Sequence, residues 1–295
     1  MTMYKSYPQR RVMVLDSYMT YVDTRAGAET ILFLHGNPAY SYSWRHVIPQ
    51  LQGVARCVAV DLIGFGNSGH PDNGTYRFPE QYRYFEAWVQ AVNLPKKVII
   101  VGHDWGAAVG LLWASRNPNR IRGFVHMEGI LSPFDSWDHV GPPQIRDYYR
   151  KFRTDKNWED IVLDNNEILE TSLVTMTIDK QLTNEELEEY RRPFYRLTES
   201  RKPTLALTLD IPVKGDGPDD VIALLNDAVA WAKHNSDFVP KLCICAEPGL
   251  FSAWIRNATK SWSNQTVTSV KGKHFPQEES PHDLGVSIMK FLKNL

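Results

Sequence analysis

The stretch Val98 to Gly110, VIIVGHDWGAAVG, decides how the rest of the chain is read. Its first four residues are β-branched or aliphatic and predict a buried strand. Gly102, Gly106 and the alanines after them predict a helix packed closely against that strand. Asp104 stands between the two. Small-x-acid-x-small is the spacing of a sharp strand-to-helix turn that presents its central side chain, the glycines leaving room for backbone approach. A carboxylate there suits attack on a carbon bearing a leaving group, with an ester to the protein as product. A loop aspartate capping the following helix would use the same residues.

Outward from this stretch, strand and helix alternate. Val12 to Asp23 reads as two short antiparallel strands breaking at Asp16-Ser17. Ile31 to Leu34 reads as a buried strand, with His35-Gly36-Asn37-Pro38 leaving its carboxyl end, where open α/β sheets bind ligands. Tyr42 to Leu51 reads as a helix, Val54 to Asp61 as a strand, Pro79 to Val92 as a helix. Ile121 to Met127 is the next strand and ends at Glu128. This rhythm predicts an α/β fold, a mostly parallel sheet covered on both faces. It stops at about residue 132, where the chain turns helical, charged and aromatic until about 212; Thr183 and Glu186 have capping-box spacing. Helix 219–234, strands 241–246 and 265–270 and helix 281–295 then resume it. The expectation is a core of residues 1–131 and 213–295 with a helical cap, 132–212, inserted.

Composition narrows the function classes. With 295 residues and a formal net charge of −1, the chain suits one large domain and lacks the field that draws nucleic acid or an anionic membrane. The amino-terminal residues hold no apolar leader and no segment approaches membrane-span length, so the expected location is the cytoplasm. Three cysteines fit no disulfide framework, and Cys243-x-Cys245 in an apolar run reads as strand rather than metal site. Sequons at Asn73, Asn257 and Asn264 would matter only in a secreted protein.

Asp104, Glu128 and His274 occur at three strand ends in the order nucleophile, acid, histidine of an α/β-hydrolase. In those roles His274 takes a proton from water and Glu128 fixes its tautomer. Trp105 and Asn37 each offer a neutral N–H that would steady a departing halide without the desolvation cost of a buried arginine. Singly, each has a plainer reading: a helix-start acid, an exposed loop histidine, a packing tryptophan, an asparagine holding its own loop.

HGNP, DLIGFGNSG, GHDWG and KHFPQEE together resemble the haloalkane dehalogenases. VARC, NLPKK, SWD, LDNN, KGDGPDDV and EPGLFS resemble the Renilla-type luciferase that shares their scaffold. The resemblance implies an eight-stranded sheet with a helical cap and a site between them, built from Asp104, Glu128, His274, Asn37 and Trp105. It also implies that Asp147, Trp137, Ile168, Leu250 and Phe251 meet the substrate, Asp147 handling a proton. The expected activity is oxidative decarboxylation of coelenterazine with light emission. The alternative is hydrolysis of a carbon–halogen bond; a silent binder of an apolar ligand is a third reading. No cofactor or metal is expected, only oxygen or water as co-substrate. Partners would be a small apolar or aromatic substrate and a halide ion, with neither nucleic acid nor membrane.

Overall fold

The computed structural model describes residues 7–154, 157–176, 180–195 and 198–295. Eight strands form one sheet: β1 (Gln9–Val14), β2 (Ser17–Asp23), β3 (Glu29–Leu34), β4 (Ala55–Val60), β5 (Val98–His103), β6 (Ile121–Met127), β7 (Lys241–Pro248) and β8 (Gln265–Gly272). Their order is β1-β2-β4-β3-β5-β6-β7-β8. β1 and β2 run antiparallel to their neighbours and the others are parallel. β5, the strand that ends at the Asp104 turn, is central and buried along its whole length, as a run apolar on both faces requires.

The helix after it, α2 (Trp105–Arg116), is buried on every side from Trp105 to Ala114, because helices α1 (Phe78–Ala91) and α7 (Asp219–His234) pack against it over the sheet. The two glycines of the turn are needed for that approach. A Cβ on Gly106 would lie 2.3 Å from the Leu34 carbonyl oxygen, and one on Gly102 would lie 2.5 Å from the Ala107 Cα. Asp104 sits between them at φ 51°, ψ −126°, a left-handed conformation that costs a non-glycine residue on the order of 1–3 kcal/mol and is held only by its surroundings.

Between β6 and β7 the chain forms α3 (Pro143–Thr154), α4 (Trp158–Asn165), a π-helical stretch Ile168–Met176, α5 (Asn184–Arg191) and α6 (Lys202–Leu209). Phe134 and Val213 form an isolated parallel bridge at the two ends of this insertion. Both arms of the capping box at Thr183 and Glu186 are made. Helices α8 (Ser252–Ala258), α9 (Pro276–Glu279) and α10 (Pro281–Leu292) complete the chain. The expected helix Tyr42 to Leu51 is instead two short 3-10 turns, Ser41–Trp44 and Ile48–Leu51. Pro49 lacks the N–H that a continuous helix would need there. Among the described residues no helix is long and apolar enough to cross a membrane.

Insertion and core are joined by a buried charge cluster. Arg45, fully buried, donates Nη2 to Glu278 Oε2 at 2.7 Å and to Glu186 Oε1 of α5 at 2.8 Å, while Nη1 and the Tyr190 hydroxyl both donate to Glu278 Oε1. The guanidinium lies 4.1 Å from the Tyr42 ring centroid. His46, Glu186 and Glu278 group their ligand atoms closely enough for a metal, but Arg45 already supplies the countercharge for both carboxylates.

Candidate active site

The site lies where the β3, β5, β6 and β8 carboxyl ends meet the insertion. Asp104 Oδ1 accepts the backbone N–H of Asn37 at 2.8 Å. Its other oxygen, Oδ2, is 3.4 Å from His274 Nε2, and His274 Nδ1 is 3.3 Å from Glu128 Oε2. All three side chains are buried. Glu128 leaves β6 at φ 45°, and its oxygens are filled from the segment joining β7 to α8. Oε2 accepts the N–H groups of Leu250 at 2.8 Å and Phe251 at 2.7 Å, and Oε1 accepts the Ser252 hydroxyl. A carboxylate held by three donors cannot turn away from the imidazole.

Electrostatics set the protonation states. Burial pushes His274 down, but the Asp104 and Glu128 carboxylates on its two nitrogens outweigh this and raise it to about 9. Burial likewise pushes Asp104 up, and hydrogen bonding and charge from His274, with the Asn37 N–H, bring it below the ordinary value. The resting pair is therefore imidazolium and carboxylate. His103 is buried beneath them and driven down to about 3, by burial first and by the His274 charge second. Being neutral, it must donate Nε2–H to the His274 carbonyl oxygen, 2.7 Å away, which fixes the His274 backbone. The Phe251 and Phe275 rings stand edge-on to His274 at 5.2 Å.

Asn37, Asp104, Trp105, Ile130, Tyr149, Thr208, Ile211, Phe251 and His274 enclose a cavity of about 20 Å³, room for about one water molecule. Trp105 Nε1 has no protein acceptor among the described residues. The Asn37 amide donates to the Thr204 carbonyl at 2.8 Å, with Thr208 Oγ1 at 3.3 Å, so α6 orients it. Thr208 in turn donates to Thr204 O at 2.9 Å, leaving its hydroxyl oxygen as a distant acceptor for Asn37.

Of the ten residues expected at the site, the structure brings together Asp104, Glu128, His274, Asn37, Trp105 and Phe251. Four expectations are corrected. Asp147 faces solvent with its side chain 64% exposed, paired with Arg146 at 2.9 Å; it falls on the polar face of α3, whose buried face is Ile145, Tyr148 and Phe152. Trp137 is buried at the base of the insertion, donating to Asp216 Oδ2 at 2.5 Å beneath the Arg153 guanidinium. Ile168 belongs to the insertion's own apolar cluster with Tyr148, Phe152, Val162, Leu163 and Leu205. Leu250 serves the site through its backbone N–H, while its side chain packs on Gly141. Sequence reasoning missed Tyr149, Thr204 and Thr208. Tyr149, whose Oη is 3.1 Å from Ser172 Oγ, brings a titratable side chain of the insertion into the cavity lining, two positions from the expected Asp147.

A family model for the alpha/beta hydrolase fold matches residues 29–281. The chain is 38% identical to the coelenterazine h 2-monooxygenase of Renilla reniformis, over 97% of this chain and 91% of the relative. It is 39% identical to the haloalkane dehalogenase of Mycolicibacterium smegmatis, over 94% of this chain and 88% of the relative. Among solved structures, a haloalkane dehalogenase from Bradyrhizobium elkani superposes with a TM-score of 0.90 at 35% identity, covering 97% of this chain and 98% of that one. The haloalkane dehalogenase DatA from Agrobacterium tumefaciens gives 0.88 at 34%, covering 97% and 96%. With a core that matches along its length and Asp104, Glu128 and His274 brought together at its strand ends, the chain belongs to the α/β-hydrolase fold family, in the group that holds the Renilla luciferase and the haloalkane dehalogenases.

Proposed function

We propose that this chain hydrolyses carbon–halogen bonds in small apolar molecules, with Asp104 as nucleophile and His274 as base. The observation that carries the reading is the division of labour on Asp104, itself in the cavity lining: Oδ1 is tied to the Asn37 N–H, and Oδ2 is left to His274. Oδ2 attacks the halogen-bearing carbon, the carbon–halogen bond breaks, and the halide leaves toward Trp105 Nε1–H and the Asn37 amide, which reaches it by giving up its long 3.3 Å contact with Thr208 Oγ1. Two neutral donors suit a small anion in a site this dry. Esterification removes the Asp104 charge, one of the groups that hold the His274 proton, so the imidazolium gives that proton to solvent and the neutral imidazole can act as a base. It takes a proton from water, whose oxygen attacks the ester Cγ while the Asn37 N–H steadies the charge on Oδ1; the bond from Cγ to the alkoxy oxygen then breaks, and the alcohol departs with a proton returned by His274. Halogenated alkane and water thus give alcohol, halide and a proton, with no cofactor in any step. Cytoplasmic residence belongs to the same reading, since three free, buried thiols suit a reducing compartment.

A second reading is oxidation of coelenterazine with light emission. It is favoured by 38% identity along 97% of the chain to the Renilla monooxygenase. The two readings differ in what the cavity must admit. Space of about 20 Å³ is nearer to a short haloalkane than to a large fused heterocycle, and each substrate requires the insertion to give way by a different amount. Purified protein is assayed for bromide release from a short bromoalkane and for light with coelenterazine and oxygen. Brisk bromide release with background light supports the hydrolase; light without bromide replaces it with the luciferase; both together assign both reactions to one pocket.

A further inference from the structure

Cys243 and Cys245 are the nucleophilic pair that the chemistry above does not use. They are alternate residues of β7, so their side chains share one face of the sheet, beneath α8 and beside His126 and Trp262. Their sulfurs are 3.7 Å apart and both residues are buried. Arg256 of α8, with 53% of its own side chain exposed, contacts Cys245 and reaches Glu247 and Ser269 at 3.3 Å. The S–H of Cys243, followed by the Arg256 guanidinium, holds the Cys245 thiol below its ordinary value, while hydrogen bonding to Cys245 and burial raise Cys243.

We propose that Cys243 and Cys245 form a peroxide-sensitive dithiol whose reversible disulfide loosens the cradle of Glu128. The Cys245 thiolate attacks one oxygen of hydrogen peroxide, the O–O bond breaks, and hydroxide leaves, giving a sulfenic acid. The Cys243 sulfur attacks that sulfur, its proton joins the departing hydroxyl as water, and the disulfide closes. The sulfurs are near enough to meet, but strand geometry makes the bond costly. Two residues along a strand are about 6.6 Å apart at Cα, at the long end of the 4.4–6.8 Å that disulfides span. Closing it shortens β7, which is laddered on both edges, to β6 and β8. A bond under such tension is readily reduced again. The shortening is transmitted along the chain to Leu250, Phe251 and Ser252, the three residues that hold Glu128. Only the effect on turnover rests on the function proposed above; the thiol chemistry and the cradle do not.

The test uses the full-length protein. Reduced, it takes three alkyl groups from iodoacetamide after unfolding, one per cysteine. After brief exposure to hydrogen peroxide it is expected to take one, and three again after dithiothreitol. In the oxidised form the Leu250 and Phe251 amides should exchange with deuterium about tenfold faster, a readout that needs no substrate. Cys57→Ser should still lose two reactive thiols, and Cys243→Ser should retain a sulfenic acid on Cys245 that dimedone traps. Three alkyl groups after peroxide, a covalent dimer, or loss of the effect in Cys57→Ser would overturn the pairing. A disulfide with unchanged exchange at Leu250 and Phe251 would overturn its link to Glu128.

Discussion

His274 Nε2 stands 3.4 Å from Asp104 Oδ2, and this ion pair stores a proton on the group to which the proposed reaction gives the part of the base. The order of events in the proposed reaction follows from it: the nucleophile is ionised while the base is charged, and the base is freed only once the nucleophile is neutralised as an ester.

The same pair makes stability depend on pH. The folded value of His274, about 9, exceeds its ordinary 6.5, so its contribution is complete below about pH 6.5 and is lost as pH rises through about 9. Urea unfolding of the wild type should show stability declining across that window. Asp104→Asn removes a main cause of the shift, and the decline should shrink. An equal slope in both proteins would place the coupling elsewhere.

His274→Phe should stop the reaction after its first step. Incubated with a bromoalkane that the wild type turns over, the variant should gain the mass of the alkyl group on Asp104, seen in the intact protein. Unmodified protein after prolonged incubation would remove the ester mechanism.

Trp105→Phe keeps most of the ring and deletes one donor. Loss of a preorganised donor costs on the order of 100-fold or more in turnover, and halide release should fall accordingly while the circular dichroism spectrum is retained. Full turnover would reduce Trp105 to a packing residue.

Asp147→Ala should change halide release and any light emission by less than about twofold, since exposed substitutions shift free energies within about 0.5 kcal/mol. Tyr149→Phe, at a wall of the cavity, should alter KM for bromoalkanes of different length. Steady-state kinetics on both variants decide which α3 side chain meets substrate.

Arg45→Met should be among the most damaging single changes away from the site. It strands Glu278, whose side chain is fully buried, and removing one partner of a buried pair costs about 3–5 kcal/mol. The double variant Arg45→Met, Glu278→Leu should recover part of that in urea unfolding. No recovery would mean that the loss comes from packing against Tyr42 and Tyr190.

What the sequence determined by itself was local and periodic. Four β-branched or aliphatic residues before Gly102 and a small-residue helix after it specified β5, the turn and α2. Repetition of that unit specified a parallel sheet, and the order of Asp104, Glu128 and His274 specified which strand ends would meet. The tertiary structure decided the rest, because it depends on which face of an element is covered and by what. Successive helix residues point about 100° apart, so Asp147 and Tyr149 of one short helix face opposite environments, and only the packing of α3 selects between them. The Asn37 amide is oriented by Thr204, 167 residues away, and Glu128 by backbone N–H groups 122 and 123 residues away. Backbone donors carry no residue identity, and α6 meets Asn37 only after the insertion has docked on the core; neither leaves a periodic trace in the chain.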